Sequence, residues 1–163
     1  MTDNLRIIKT SALGEQEKIQ LFDLWNTEYP EQLSYQDQSE LDTYLLKLGP
    51  TTHFLLQNDI GIIMGWAFSF VRDNQKWFAI ILSEKVQRKG FGKKLLDLLK
   101  QSEALLYGWV IDHSKDKKRN GNPYLSPLSF YKKCDFVALE EERLELDTIS
   151  AVKIKWIATD TIA

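Results

Sequence analysis

The hexapeptide Gln87-Arg88-Lys89-Gly90-Phe91-Gly92 is the stretch of this chain best suited to hold an anion. It follows the continuous apolar run Trp77–Leu82. It precedes Leu95, Leu96, Leu98 and Leu99, whose spacing predicts a helix over Lys93–Glu103. A strand that feeds a helix N-terminus aims several unpaired backbone N–H groups at one spot, and the helix dipole adds partial positive charge there. Such a spot suits a pyrophosphate. Gly90 and Gly92 are expected to let the backbone approach a ligand without a Cβ in the way. Arg88, Lys89, Lys93 and Lys94 add cationic charge around it. A Walker loop would need four residues between its glycines and then Lys-Ser/Thr. A dinucleotide fingerprint would need a third glycine where Leu95 stands. Neither spacing fits.

The elements that must position this turn follow from hydrophobic period and punctuation. Leu5–Lys9 reads as a strand. Glu15–Thr27 reads as a helix, with Ile19, Leu21, Phe22, Leu24 and Trp25 on one face and Pro30 closing it. Gln36–Leu48 reads as a second helix, with Leu41, Tyr44, Leu45 and Leu48 as its buried stripe and Gly49-Pro50 as its stop. Thr52–Gln57, Ile62–Val71 and Trp77–Leu82 read as strands, with turns around Asn58–Gly61 and Arg72–Gln75. Trp77–Leu82 is apolar throughout, as expected of a strand buried on both faces. Beyond the glycine turn and its helix come a strand at Leu105–Ile111 and a long polar loop at Asp112–Leu125. A short helix follows at Ser126–Lys133, capped by Ser126 with Pro127 at its first position. Val137–Leu146 and Ala151–Ala158 read as a closing antiparallel pair. The order is β-α-α-β-β-β-α-β-α-β-β, an α/β arrangement around a mixed sheet.

The chain has 163 residues, 44% apolar and 27% charged, with a formal net charge of −2. That length predicts one domain spanning 1–163 with one core. The charge argues against nucleic-acid binding as the main role. A single cysteine, Cys134, and two histidines exclude an internal disulfide and an ordinary structural zinc site. They point to a reducing, cytoplasmic compartment and to no metal. The N-terminus lacks the apolar stretch of a signal peptide, and the runs Ile60–Val71 and Trp77–Leu82 are too short to span a bilayer, so no membrane tether is expected.

Gln-x-x-Gly-x-Gly after an apolar strand resembles the pyrophosphate loop of the GNAT superfamily of N-acetyltransferases. A second motif lies about forty residues on. Ser129-Phe130-Tyr131-Lys132-Lys133-Cys134-Asp135-Phe136 resembles that family's short helix ending in Tyr-x-x-x-Gly-Phe. The element order also matches. The resemblance implies a mostly antiparallel sheet of about seven strands flanked by about four helices. The chain departs from the pattern in having Asp135 where glycine is common, though Asp tolerates a left-handed helix end. An asparagine often precedes the tyrosine helix in the family. Here Asn120 and Asn122 lie further back, with Pro123 and Pro127 between.

What the resemblance implies is acetyl transfer from acetyl-CoA to a primary amine, on a small molecule or a protein. Leu82, Gln87, Arg88, Lys89, Gly90, Phe91, Gly92 and Lys93 would hold the cofactor, with backbone N–H groups near Leu82 as oxyanion donors and pantetheine partners. Tyr131 would be the acid for the departing thiolate. Many relatives carry a glutamate on the strand before the turn, and Lys76–Leu82 has no carboxylate. Asp112 and His113, at the end of the fifth strand, are the candidates for base or relay; a water chain is equally compatible. Glu84 is expected to face solvent. Glu28 and Tyr29 fall where the family walls its acceptor site, and Glu28 could attract a cationic amine. His53, Cys134 and the five tryptophans Trp25, Trp66, Trp77, Trp109 and Trp156 read as packed residues. Lys115–Arg119 reads as a solvated loop whose position permits a lid or a contact with the CoA 3′-phosphate. The missing carboxylate keeps open a non-catalytic acyl-CoA sensor. A homodimer is compatible with the resemblance.

Overall fold

The computed structural model describes residues 4–159. Seven strands form one sheet. In chain order they are β1 (Arg6–Thr10), β2 (Thr51–Gln57), β3 (Ile63–Arg72), β4 (Gln75–Leu82), β5 (Leu105–Val110), β6 (Val137–Leu146) and β7 (Ile149–Ile157). Their spatial order is β1-β2-β3-β4-β5-β7-β6. Every neighbouring pair is antiparallel except β4 and β5, which are parallel and share a single registered pair, Trp77 with Tyr107. The four helices are α1 (Glu15–Glu28), α2 (Gln38–Leu48), α3 (Phe91–Lys100) and α4 (Leu128–Lys133). No helix among the described residues is long and apolar enough to cross a membrane.

Local chemistry explains most boundaries. Asp73 and Asn74 both take positive φ, 52° and 61°, which makes the two-residue turn that matches strand twist and pins Arg72 opposite Gln75. Tyr29 leaves α1 with ψ 163° because the residue before a proline cannot stay helical. The second helix starts at Gln38, two residues later than expected. The Asp37 carboxylate caps it by accepting from the Glu40 N–H at 3.2 Å. The helix after the glycine turn starts at Phe91 and stops at Lys100, where Ser102 turns back with φ 67°.

The sheet separates two apolar layers. On one face Leu21, Leu24, Trp25, Leu41 and Leu48 of α1 and α2 pack on β2, β3 and β4. Ile19, expected on that face, points outward and is 46% exposed. On the other face Leu95, Leu96 and Leu99 of α3 join Phe78, Tyr131 and Phe136. His53 is buried as expected. Its Nδ1 accepts from Trp66 Nε1 at 3.0 Å, and burial lowers its pKa to about 4.

Candidate functional site

The parting of β4 and β5 sets up the site. Ser83 N–H donates to the Met64 carbonyl, so Ser83, Ile81 and Ala79 turn their backbone groups toward β3. By the two-residue alternation of a strand, Phe78, Ile80 and Leu82 turn theirs toward β5. Registered pairing with β5 ends at Trp77, so the Ile80 and Leu82 N–H groups face the gap between the strands.

The hexapeptide lies at the open end of that gap. Gln87 donates its side-chain N–H to the Leu82 carbonyl at 3.0 Å, tying the turn to the end of β4. Arg88 and Gly90 both take positive φ, 64° and 88°. Gly90 is the N-cap of α3, and the helical ladder begins with Lys94 N–H donating to its carbonyl at 3.2 Å. The N–H groups of Phe91, Gly92 and Lys93 are therefore left at the helix mouth. The two glycines serve different ends. Gly90 is required by its φ. A Cβ on Gly92 would lie 3.2 Å from the Phe130 ring and 3.4 Å from Leu82, so Gly92 lets α3 pack against α4 and β4. Of the expected cations, Lys93 is occupied by Asp97 at 2.9 Å. Arg88 and Lys89 are exposed and in no ion pair among the described residues.

Tyr131 reaches the gap through a helix-terminating motif. Phe136 N–H donates to the Tyr131 carbonyl at 3.1 Å and Asp135 N–H to the Lys132 carbonyl at 3.2 Å, with Asp135 in the left-handed region at φ 72°. This is a Schellman closure, and it explains the motif's spacing. The residue at the left-handed position must tolerate positive φ, and the apolar residue after it packs back on the tyrosine, here with ring centroids 5.6 Å apart. Ser126 does contribute a cap, but one position earlier than expected. Its Oγ accepts from Leu128 N–H at 3.2 Å while Pro127 takes the N-cap place. Tyr131 is 6% exposed, and burial holds its phenol well above the ordinary value, so it keeps its proton.

A cleft of about 380 Å³ runs along the gap and reaches both faces of the sheet. Ile80 and Tyr131 line it from the α3 side; Tyr29, Trp77, Trp109 and Tyr124 line it from the other. Gln32 reaches across to the Thr148 carbonyl at 2.8 Å, linking the segment after α1 to the β6–β7 turn, which also lines the cleft.

No family model and no curated protein matches the sequence. Solved structures do match in shape. A GNAT-family acetyltransferase from Staphylococcus aureus Mu50 superposes with a TM-score of 0.65 at 16% identity, covering 96% of this chain and 100% of its own. An acyl-CoA N-acyltransferase from Pseudomonas aeruginosa gives 0.62 at 17%, covering 95% and 99%. A spermidine/spermine N-acetyltransferase from Vibrio cholerae gives 0.60 at 16%, covering 94% and 92%. The chain has the GNAT fold.

Within that GNAT fold, the side chains expected around the acceptor are redistributed. Tyr29 lines the cleft, with its ring 4.7 Å from Trp25 and 6.4 Å from Tyr124. Glu28 does not. Its buried carboxylate accepts from Glu84 N–H at 3.1 Å and pairs with the partly buried Lys118 at 3.1 Å. Glu84 is exposed, as expected, and its carboxylate meets Lys118 at 3.6 Å. The basic run is therefore no simple solvated loop, because Lys118 straps 112–125 onto the end of α1, helped by Glu31 N–H donating to the Lys117 carbonyl at 2.9 Å. Asn120 and Asn122 build the exposed tip of that loop, where Asn120 Oδ1 accepts from Asn122 N–H.

Asp112 and His113 lie just past β5 but outside the cleft lining. Arg143 grips Asp112 with two hydrogen bonds, at 2.9 and 3.0 Å, which lower the carboxyl pKa and weaken it as a base. His113 Nδ1 accepts from Lys115 N–H at 3.1 Å. Cys134 is a partly buried thiol, raised in pKa by burial. Sequence reasoning missed Ile80, whose N–H faces the gap, and Arg72, which lines the cleft from the end of β3. Strand alternation counted from the Asp73-Asn74 turn was the available signal for both.

Proposed function

We propose that the protein is an N-acyltransferase that moves an acetyl group from acetyl-CoA to a primary amine, on a small molecule or a protein, by direct attack on the thioester. The observation that carries this reading is the parting of β4 from β5 beside the N-terminus of α3, with an aromatic cleft running through the gap. Acetyl-CoA would supply the activated acyl group. The α3 N–H groups, with Arg88 and Lys89, suit its pyrophosphate. The Ile80 and Leu82 N–H groups face the gap, where they can pair with its amide chain and with the oxygen that gains charge during attack. Tyr131 donates a hydrogen bond toward the departing sulfur. A raised phenol pKa fits a donor that keeps its proton until the thiolate is nearly formed. No carboxylate or imidazole lines the cleft among the described residues, which fits loss of the amine proton to water.

That same lack favours a second reading, an acyl-CoA-binding sensor without turnover. Calorimetry with acetyl-CoA, paired with thiol release across a broad amine panel, separates the two. The proposal expects saturable binding and amine-dependent thiol release. Tight binding with no release from any amine replaces it by the sensor, and absence of binding overturns both.

A further inference from the structure

The acceptor side of the cleft has one formally charged side chain among the described residues that line it, Arg72. Its guanidinium lies over two aromatic rings, 5.0 Å from the Phe70 centroid and 5.6 Å from that of Trp77. Stacking holds the plane of a guanidinium and leaves its N–H edge free to bind. No carboxylate among the described residues takes that edge. Three of the acidic groups near the cleft are paired with other cations: Glu28 with Lys118, Asp112 with Arg143 and Glu142 with Lys153. The same wall holds a second unused donor. Trp77 Nε1 is buried and has no hydrogen-bond partner among the described residues. Between Arg72 and the gap the walls on this side are aromatic, from Trp77, Trp109 and Tyr44.

We infer that the acceptor is a primary amine bearing a carboxylate at the far end of an apolar spacer, with the carboxylate on Arg72 and the amine at the gap. This rests on the acyltransfer reading above and adds the substrate class. The spacer length follows from the strand. The guanidinium lies over the Trp77 ring, and Ile80 is three residues further along β4, a rise of about 10 Å that sets the scale of the spacer. That span is too long for the amino and carboxyl groups of one α-amino acid. A diamine or polyamine would put its second ammonium against the guanidinium, with no carboxylate in the lining to offset the repulsion.

The test uses the full chain with acetyl-CoA and three matched series of graded length: ω-amino acids, n-alkylamines and α,ω-diamines. Wild-type protein should favour the ω-amino acids over equal-length alkylamines by about tenfold or more in kcat/KM, the scale of one charge-assisted hydrogen bond. The advantage should peak near the 10 Å span. Arg72→Gln should remove most of it, and Arg72→Glu should turn the ranking toward diamines. Turnover with no advantage for the acid terminus, or a ranking unmoved by Arg72→Glu, overturns the inference and leaves acyl transfer standing. If no amine is turned over, the acyltransfer reading fails, and tryptophan fluorescence titration with the same series decides the inference. Tighter, Arg72-dependent binding of the ω-amino acids supports it, and equal binding of acids and diamines overturns it.

Discussion

The two sides of the β4–β5 gap are made of different material. On the α3 side the groups proposed to bind are backbone N–H groups from one continuous stretch, with Gly90 fixing their direction. On the far side the surface is made of side chains from α1, α2, β3, β4, β5, the 112–125 loop and the β6–β7 turn, held by Lys118 and by the Gln32–Thr148 contact. A backbone site depends on local conformation and tolerates most changes of side chain. A side-chain site depends on how distant segments dock, so one lost anchor disturbs several walls at once.

That difference sets the scale of what mutation should do. Lys118→Ala should have the largest effect, about 3 kcal/mol in urea unfolding, because it strands the buried Glu28 carboxylate. The Glu28→Gln, Lys118→Ala double variant should recover part of the loss. A loss under about 1 kcal/mol would mean that the loop is held by something else.

Tyr131→Phe comes next. It keeps the contacts with Phe78, Phe130 and Phe136 and removes only the hydroxyl. Thiol release should fall about 100-fold while acetyl-CoA affinity by calorimetry stays nearly constant. Unchanged turnover would make this tyrosine a packing residue and shift the comparison toward the backbone side. Gly90→Ala should cost about 1–2 kcal/mol from the left-handed conformation and weaken acetyl-CoA binding about tenfold, whereas open space around its Cβ leaves packing intact. Normal affinity would show that the α3 mouth does not hold the pyrophosphate.

Two smaller effects probe the core behind each side. His53 titrates near 4 in the folded state and near 6.5 unfolded, so the unfolded chain binds more protons between those values. Its contribution to stability is therefore intact above pH 6.5 and declines as pH falls toward 4. Melting curves of wild type against His53→Gln should converge in their pH slope outside that window and differ within it; identical slopes throughout would place the acid sensitivity elsewhere. Asp135→Gly should stabilise by under about 1 kcal/mol by easing the left-handed position at φ 72°. Destabilisation would show that the carboxylate has a partner of its own in solution.

The sequence by itself determined the order of elements, the glycine turn and the Tyr131–Phe136 closure. Each is a local device: an apolar run, a residue that must take positive φ, a proline that ends a helix, a cap within three positions. Even so, helix starts slipped by a residue or two where a side-chain cap such as Asp37 or Ser126 chose the first turn. Tertiary structure decided what those devices face. Lys118 reads as one of five charges in a polar loop, and only docking onto α1 turns it into the partner of a buried Glu28. Asp112 reads as a base until Arg143, thirty-one residues away, takes both of its oxygens. Arg72 reads as a strand-end charge until the stacking of Phe70 and Trp77 holds it at the wall of a cleft. The physical reason is range. Backbone conformation is set within a few residues, whereas the ionisation and availability of a side chain are set by whichever charge or ring the fold brings within hydrogen-bonding or stacking distance.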